Sequence, residues 1–265
     1  MNLPDFICIG VQRAGTTWLY ECLKEHPEVF VPETKELHFF NDNYEKGIEF
    51  YSNFFEAADP ANQVIGELTP NYYHDENALK RIYDVLPNVK IILVLREPVS
   101  RAYSHYQLSS TNQCEGMTFD QALQKTPIIK TLSLQSTFVK QVISLFPSEN
   151  IHIQIYDNLR DKPQQFISEI FSFLMVDASF IPSSIDKRVN RIIFPKLQEN
   201  LSKIGLSKAI ELVKKTALGD LIKEKYNSNE RDKLDSNLDQ YRELFAADVN
   251  ELEKILKINL QIWKR

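Results

Sequence analysis

"GVQRAGTTW", residues Gly10 to Trp18, follows directly on the apolar run "FICIG", so it sits where a buried strand hands over to a helix. Gly10 and Gly15 have the separation of the glycines in the phosphate-cradling pattern G-x-x-x-x-G-K-[ST]. Thr16 and Thr17 then stand where that pattern has Lys and Ser or Thr. A strand-loop-helix turn aims backbone N–H groups and the positive end of a helix dipole at an anion, whatever its side chains. The two threonines add hydroxyl donors, and Arg13 adds a cation. A nucleoside triphosphate needs the lysine, and a magnesium ion held by Ser/Thr and a strand-end Asp. This chain's later strand "IILVL" runs instead into Arg96, Glu97 and Pro98. An arginine there repels a metal and attracts an anion. The pattern therefore implies two anionic groups held without a metal, one in the loop from Arg13 to Thr17 and one beside Arg96. A G-x-x-x-x-G spacing alone is weak evidence, and Arg13 alone would pass for a surface arginine; the strand before and the helix after favour function for both.

Working outward, Phe6 to Gly10, Val64 to Leu68, Val89 to Leu95 and Ile151 to Tyr156 are short runs rich in Ile and Val that read as strands. Helices are predicted at Thr17 to Glu25, Glu76 to Leu86, Pro98 to Ser109, Thr131 to Phe146 and Pro163 to Leu174. This alternation predicts an α/β fold, P-loop-like and three-layered, with a central parallel sheet flanked by helices, whose ligands bind beyond the carboxyl ends of the strands. Near the C-terminus Leu234, Leu238, Tyr241, Phe245, Val249, Leu252 and Leu256 recur at helical spacing, and core packing is the reading favoured over a partner face. Ser109 to Thr118 and Val176 to Arg191 read as loose connections.

In "REPVSRAYSHY", Pro98 suits a first helical turn. Ser104 lies two turns into that helix, where it could share an anion with Arg96; Arg101 reads as solvated. Ser104 by itself would be an ordinary helix serine, so its weight comes from the pairing.

The 265 residues are 43% hydrophobic and 25% charged, enough to bury a core in one domain spanning 1–265. With 31 basic against 36 acidic residues, the net charge of −5 gives no general attraction to nucleic acid or an anionic membrane, so an anion site must be local. Cys8, Cys22 and Cys114 are too scattered for a disulfide framework or a metal site and read as reduced, structural thiols. No apolar run approaches the ~18 residues of a membrane span, and the chain enters a strand without a signal-like segment. The expectation is a cytoplasmic protein. Its oligomeric state is not legible.

Taken together, "GVQRAGTTWLYECLKEHPEV", "KELHFFN", "GIEFYSNFF", "GELTPNYY", "ILVLREPVSRAYSHYQ", "LFPSENIHIQIYDNLRDKPQQFISEIFSFL" and "YRELFAADVNELEKIL" resemble the sulfotransferases that use 3′-phosphoadenosine 5′-phosphosulfate (PAPS). They are most similar to the heparan-sulfate-type domains and their bacterial relatives. The resemblance implies PAPS as donor and no metal. Its 5′-phosphosulfate would lie on Arg13, Ala14, Gly15, Thr16 and Thr17, and its 3′-phosphate on Arg96 and Ser104. It also implies in-line transfer of a sulfuryl group to a hydroxyl or amine, with Glu36 as the general base and His38 assisting or shaping the pocket. Arg13 stands where the family commonly has Lys, and Leu68 where it often has a second lysine, after Glu67. Glu67 would orient the base or the acceptor. Arg188, Asn190 and Arg191 correspond in position to the family's loop over the adenine and 3′-phosphate, though solvated linker charges explain them nearly as well. Other acceptor classes stay open: a small molecule, a glycan, a glycolipid or a carrier-bound chain. A nucleotide-binding module without strong turnover is the alternative, and a P-loop kinase is disfavoured by Thr16. His74, His105 and His152 read as structural, because their spacing suggests no metal site.

Overall fold

Every residue of the first strand, β1 (Phe6–Gly10), is buried, which requires cover on both faces and a neighbour on each edge. The computed structural model describes residues 1–110, 112–186 and 238–264. It supplies those neighbours as β3 (Val64–Leu68) and β4 (Lys90–Leu95), both parallel to β1. The short strand β2 (Val29–Phe30) extends the sheet beyond β3, and β5 (Ile151–Ile155) extends it beyond β4. The order β2-β3-β1-β4-β5 places β1 at the centre. The chain crosses from β1 to one side for β2 and β3 and to the other for β4 and β5, so the crevice where ligands of such sheets bind opens at the carboxyl ends of β1 and β4.

Helices flank the sheet in a three-layer α/β arrangement. They are α1 (Thr16–Glu25), α2 (Gly47–Ser52), α3 (Glu76–Val85), α4 (Pro98–Ser109), α5 (Phe119–Lys125), α6 (Pro127–Thr131), α7 (Ser136–Leu145), α8 (Tyr156–Asp161), α9 (Pro163–Leu174) and α10 (Ala246–Leu256). Leu19 and Leu23 of α1, Leu79 and Ile82 of α3, Val139 and Val142 of α7, and Ile167 and Ile170 of α9 join the buried strand residues in one core. Asp75 caps α3 by accepting from Asn77 and Ala78 N–H, and Glu97 caps α4 by accepting from Val99 and Ser100 N–H.

The C-terminal stripe packs into the interior as expected. Val249 and Leu252 enter the main core, while Leu238 and Phe245 join Val99, Ala102, Phe119 and Ile129 in a second cluster. Regular α-helix begins only at Ala246, after a 3₁₀ segment from Asp239 to Phe245; Leu234 lies outside the described residues. All three cysteines are buried and form no disulfide among the described residues, and burial pushes the Cys8 thiol up to about 12.

Two expectations need correction. The helix predicted from Thr131 starts at Ser136, because Ser133 and Gln135 turn their side chains to Arg101 and Arg96 rather than along a helix. Arg101 is fully buried, not solvated, donating to Ile129 O at 3.3 Å and to Ser133 Oγ at 2.9 Å.

Gly66 pairs in register with Phe6, and a Cβ at residue 66 would fall 2.2 Å from the Phe6 ring. Gly66→Ala is expected to destabilise the fold by about 3 kcal/mol in urea unfolding, as overpacking a rigid core does. Adding Phe6→Leu should restore part of that loss; no recovery would mean that the ring is not what Gly66 accommodates.

Candidate active site

The chain leaves β1 through a turn that ordinary residues adopt with difficulty. Gly10, Arg13 and Gly15 all have positive φ, at 153°, 74° and 81°. At Gly15 both space and angle demand glycine, since a Cβ would come 2.7 Å from the Tyr156 ring. Arg13 takes the left-handed conformation without that freedom, at a cost of about 1–2 kcal/mol. α1 begins at Thr16 with no side-chain cap and no acidic residue in its first turn.

Arg13 in this turn has Arg96 beside it, and the buried Arg101 feels the charge of both. Arg96, just past β4, donates Nη1 to Arg13 O at 2.6 Å, and its guanidinium lies 4.8 Å from the centre of the Tyr156 ring. Arg13 donates Nε to Ser104 Oγ at 3.0 Å. Arg101, one helical turn before His105 on α4, has Nη2 3.3 Å from His105 Nδ1. Burial, then Arg96, pulls the Arg13 guanidinium below its ordinary value, and burial does the same to Arg101. Among the described residues no carboxylate forms an ion pair with any of the three. Such a concentration of positive charge suits an anionic ligand.

A second half of the site comes from the segment after β2. Glu36 and His38 have φ of 63° and 50°, both left-handed and both non-glycine; strain of this kind concentrates at functional sites. Glu36 Oε1 accepts from Lys35 Nζ at 2.8 Å, and Glu36 Oε2 stands 3.5 Å from His38 Nε2. On its other side the His38 Nδ1 is 3.2 Å from Asn41 Nδ2 and 3.5 Å from Asp42 Oδ2. The ring thus has a carboxylate oxygen facing each of its nitrogens. Lys35 closes the circuit, because the same ammonium donates to Thr17 Oγ1 on α1 at 3.3 Å.

Behind this loop Glu67 is almost wholly buried. Its carboxylate accepts from Tyr51 Oη at 2.6 Å, Thr69 Oγ1 at 2.7 Å and Tyr72 Oη at 3.3 Å. Burial raises its pKa, against the lowering effect of those hydroxyls. The backbone N–H of His38 reaches Thr69 Oγ1 at 3.5 Å, so Glu67 is linked to the segment of Glu36 and His38 through Thr69. Leu68, beside it, is core.

The structure therefore brings Arg13, Ala14, Gly15, Thr16, Thr17, Arg96 and Ser104 around one turn and sets Glu36 and His38 against it. Arg188, Asn190 and Arg191 lie outside the described residues. The sequence reading passed over Lys35, whose place beside the candidate base was the available signal, and Tyr156, which ended a predicted strand and instead carries its ring beneath Arg96. Among the described residues no group of three or more His, Cys, Asp or Glu side chains could hold a metal ion, and no helix is long and apolar enough to cross a membrane.

The model of the sulfotransferase domain family matches residues 3–237. The membrane-associated sulfotransferase kil1 of Dictyostelium discoideum is 43% identical over 109 residues, which cover 40% of this chain and 23% of that protein. The bifunctional heparan sulfate N-deacetylase/N-sulfotransferase 4 of Mus musculus is 33% identical over 198 residues, covering 66% of this chain and 22% of that protein. The chain thus spans less than a quarter of either relative. A crystal structure of a sulfotransferase from Alicyclobacillus acidocaldarius shares the fold, with a TM-score of 0.72 at 22% identity and 100% of both chains covered.

His105 provides a test of the buried positive cluster. Burial, with Arg101 and Arg13 beside it, lowers its pKa from 6.5 to about 4. Between those values the unfolded chain binds a proton that the fold does not, so stability falls as pH drops through that window. His105→Gln should lose less stability than wild type between pH 6.5 and 4, by about 1 kcal/mol once partial solvent screening is allowed for. Parallel denaturation curves at both pH values would remove this assignment.

Proposed function

The chain belongs to the sulfotransferase family, and on that premise we propose that it moves a sulfuryl group from PAPS to a hydroxyl or amine, with Glu36 as general base. The observation that carries this reading is the Lys35 ammonium, which bonds Glu36 Oε1 and Thr17 Oγ1 together and so ties the base to the anion turn. The fit to the donor rests on the uncapped start of α1, on Arg13 and Arg96, which form no ion pair with a carboxylate among the described residues, and on the Ser104 hydroxyl at the same place. When bound, the donor supplies a sulfuryl group whose bond to the 5′-phosphate breaks as the acceptor's oxygen or nitrogen bonds to sulfur.

The chain's own contribution is positioning and charge. The N–H groups of Gly15 to Thr17, with Arg13 and Lys35, hold the 5′ end and balance the charge left there. Arg96 and Ser104 hold the 3′-phosphate. Glu36 takes the proton that the acceptor releases, and His38 Nε2 keeps that carboxylate turned toward the turn. The mouse relative is named for heparan sulfate; the acceptor classes proposed for this chain are a small molecule, a glycan, a glycolipid and a carrier-bound chain.

Transfer of radiolabelled sulfate from PAPS across an acceptor panel tests the activity. Glu36→Gln should lower kcat by roughly 10²–10⁴-fold, the range for loss of a general base. Its affinity for adenosine 3′,5′-bisphosphate, by calorimetry, should stay close to wild type. An undiminished kcat in Glu36→Gln would refute the base assignment. Tight binding of ATP with magnesium in place of the bisphosphate would move the chain to a kinase reading.

A further inference from the structure

Arg96 is held from behind by side chains outside the donor-binding set. Gln135 has no exposed surface. Its Oε1 accepts from Arg96 N at 3.2 Å, and its Nε2 donates to Arg96 O at 2.7 Å. Those two bonds fix the peptide planes on both sides of the Arg96 Cα, and with them the direction in which the guanidinium leaves the chain.

Gln135 occupies the N-cap position of α7 but gives that helix no side-chain cap. The capping is done by Asp248 of α10. Its carboxylate accepts from Gln135 N at 2.8 Å, Ser136 N at 3.0 Å and Ser136 Oγ at 2.5 Å. A residue more than a hundred positions away thus satisfies the helix start, leaving both polar atoms of the Gln135 amide for Arg96. The bland account is that Gln135 fills buried polar space and Asp248 docks α10. That account gives no reason for both amide atoms to converge on one residue, the one whose guanidinium is bonded to Arg13 O. A second strap runs alongside: Trp263 Nε1 donates to Asp157 Oδ2 at 2.8 Å, and the same oxygen accepts from Glu97 N at 3.4 Å.

We propose that Gln135, held by Asp248, is a positioning residue for Arg96, and that through it the C-terminal helix sets the preference for a nucleotide carrying a second phosphate. This rests on the reading that Arg96 meets the 3′-phosphate.

The test compares adenosine 3′,5′-bisphosphate with adenosine 5′-monophosphate by calorimetry. Proteins are wild type, Arg96→Ala, Gln135→Leu, Asp248→Asn and the Arg96→Ala/Gln135→Leu double variant, each checked for folding by thermal melting. Wild type should prefer the bisphosphate by at least about tenfold, and Arg96→Ala should lose that preference, as removal of a hydrogen bond to a charged group predicts. Gln135→Leu should lose roughly fivefold of the preference while monophosphate affinity holds, and the double variant should match Arg96→Ala alone, since Gln135 acts only through Arg96. Asp248→Asn, the gentler change, should fall between wild type and Gln135→Leu. The proposal is overturned if folded Gln135→Leu and Asp248→Asn keep the wild-type preference while Arg96→Ala loses it, or if both nucleotides weaken in equal proportion. A wild type that binds both nucleotides alike removes the Arg96 reading itself, a result distinct from either.

Discussion

The bond from Arg96 Nη1 to the carbonyl of Arg13 holds the site together. It joins the ends of the two central strands at the crevice of the sheet and pins a turn whose three positive φ angles would otherwise be hard to maintain. With that carbonyl turned toward Arg96, the N–H groups at the start of α1 face outward. Without a fixed turn the sheet would still form, since β1 pairs through its backbone, but the helix start would have no defined direction. The shape of this turn is therefore a consequence of topology and one charged hydrogen bond.

Around that point the molecule separates its charges. Guanidinium groups stand on one side of the turn with no carboxylate ion pair among the described residues, while Glu36, Asp42 and the buried Glu67 gather on the other, with Lys35 between the two. Glu67 is expensive to bury and is retained with three hydroxyl donors around it. What it holds in return is Thr69, and through Thr69 the backbone of a segment whose left-handed Glu36 and His38 would not be stable alone.

Much of this was legible in the sequence, for identifiable reasons. β1 and β4 announced themselves because strands buried on both faces must be unbroken apolar runs, and β3 and β5 because Ile and Val recur in them. The strand β2 has two residues and leaves no period to read. The glycine spacing and the arginine after β4 pointed to the turn from Arg13 to Thr17, and motif resemblance pointed to Glu36, which no local pattern would have singled out. Arg101 was misread because helical spacing does not say which face of α4 meets α6. The start of α7 was misplaced because Ser133 and Gln135 serve neighbouring arginines instead of their own helix, a tertiary demand that local propensity cannot register. Lys35 was passed over because its importance depends on reaching Thr17, a contact made only when the segment after β2 folds back against α1.

The central place of β1 in the sheet also governs when the binding turn can come into being. β1 precedes both of its neighbours in the chain, at Val64 and Lys90, and the carboxylate that caps α7 lies farther on still, at Asp248. The vectorial order of synthesis is thus opposed to the order of completion: a turn made before its sheet neighbours receives its last support from α10, and a nascent chain lacks that support until Asp248 has been made.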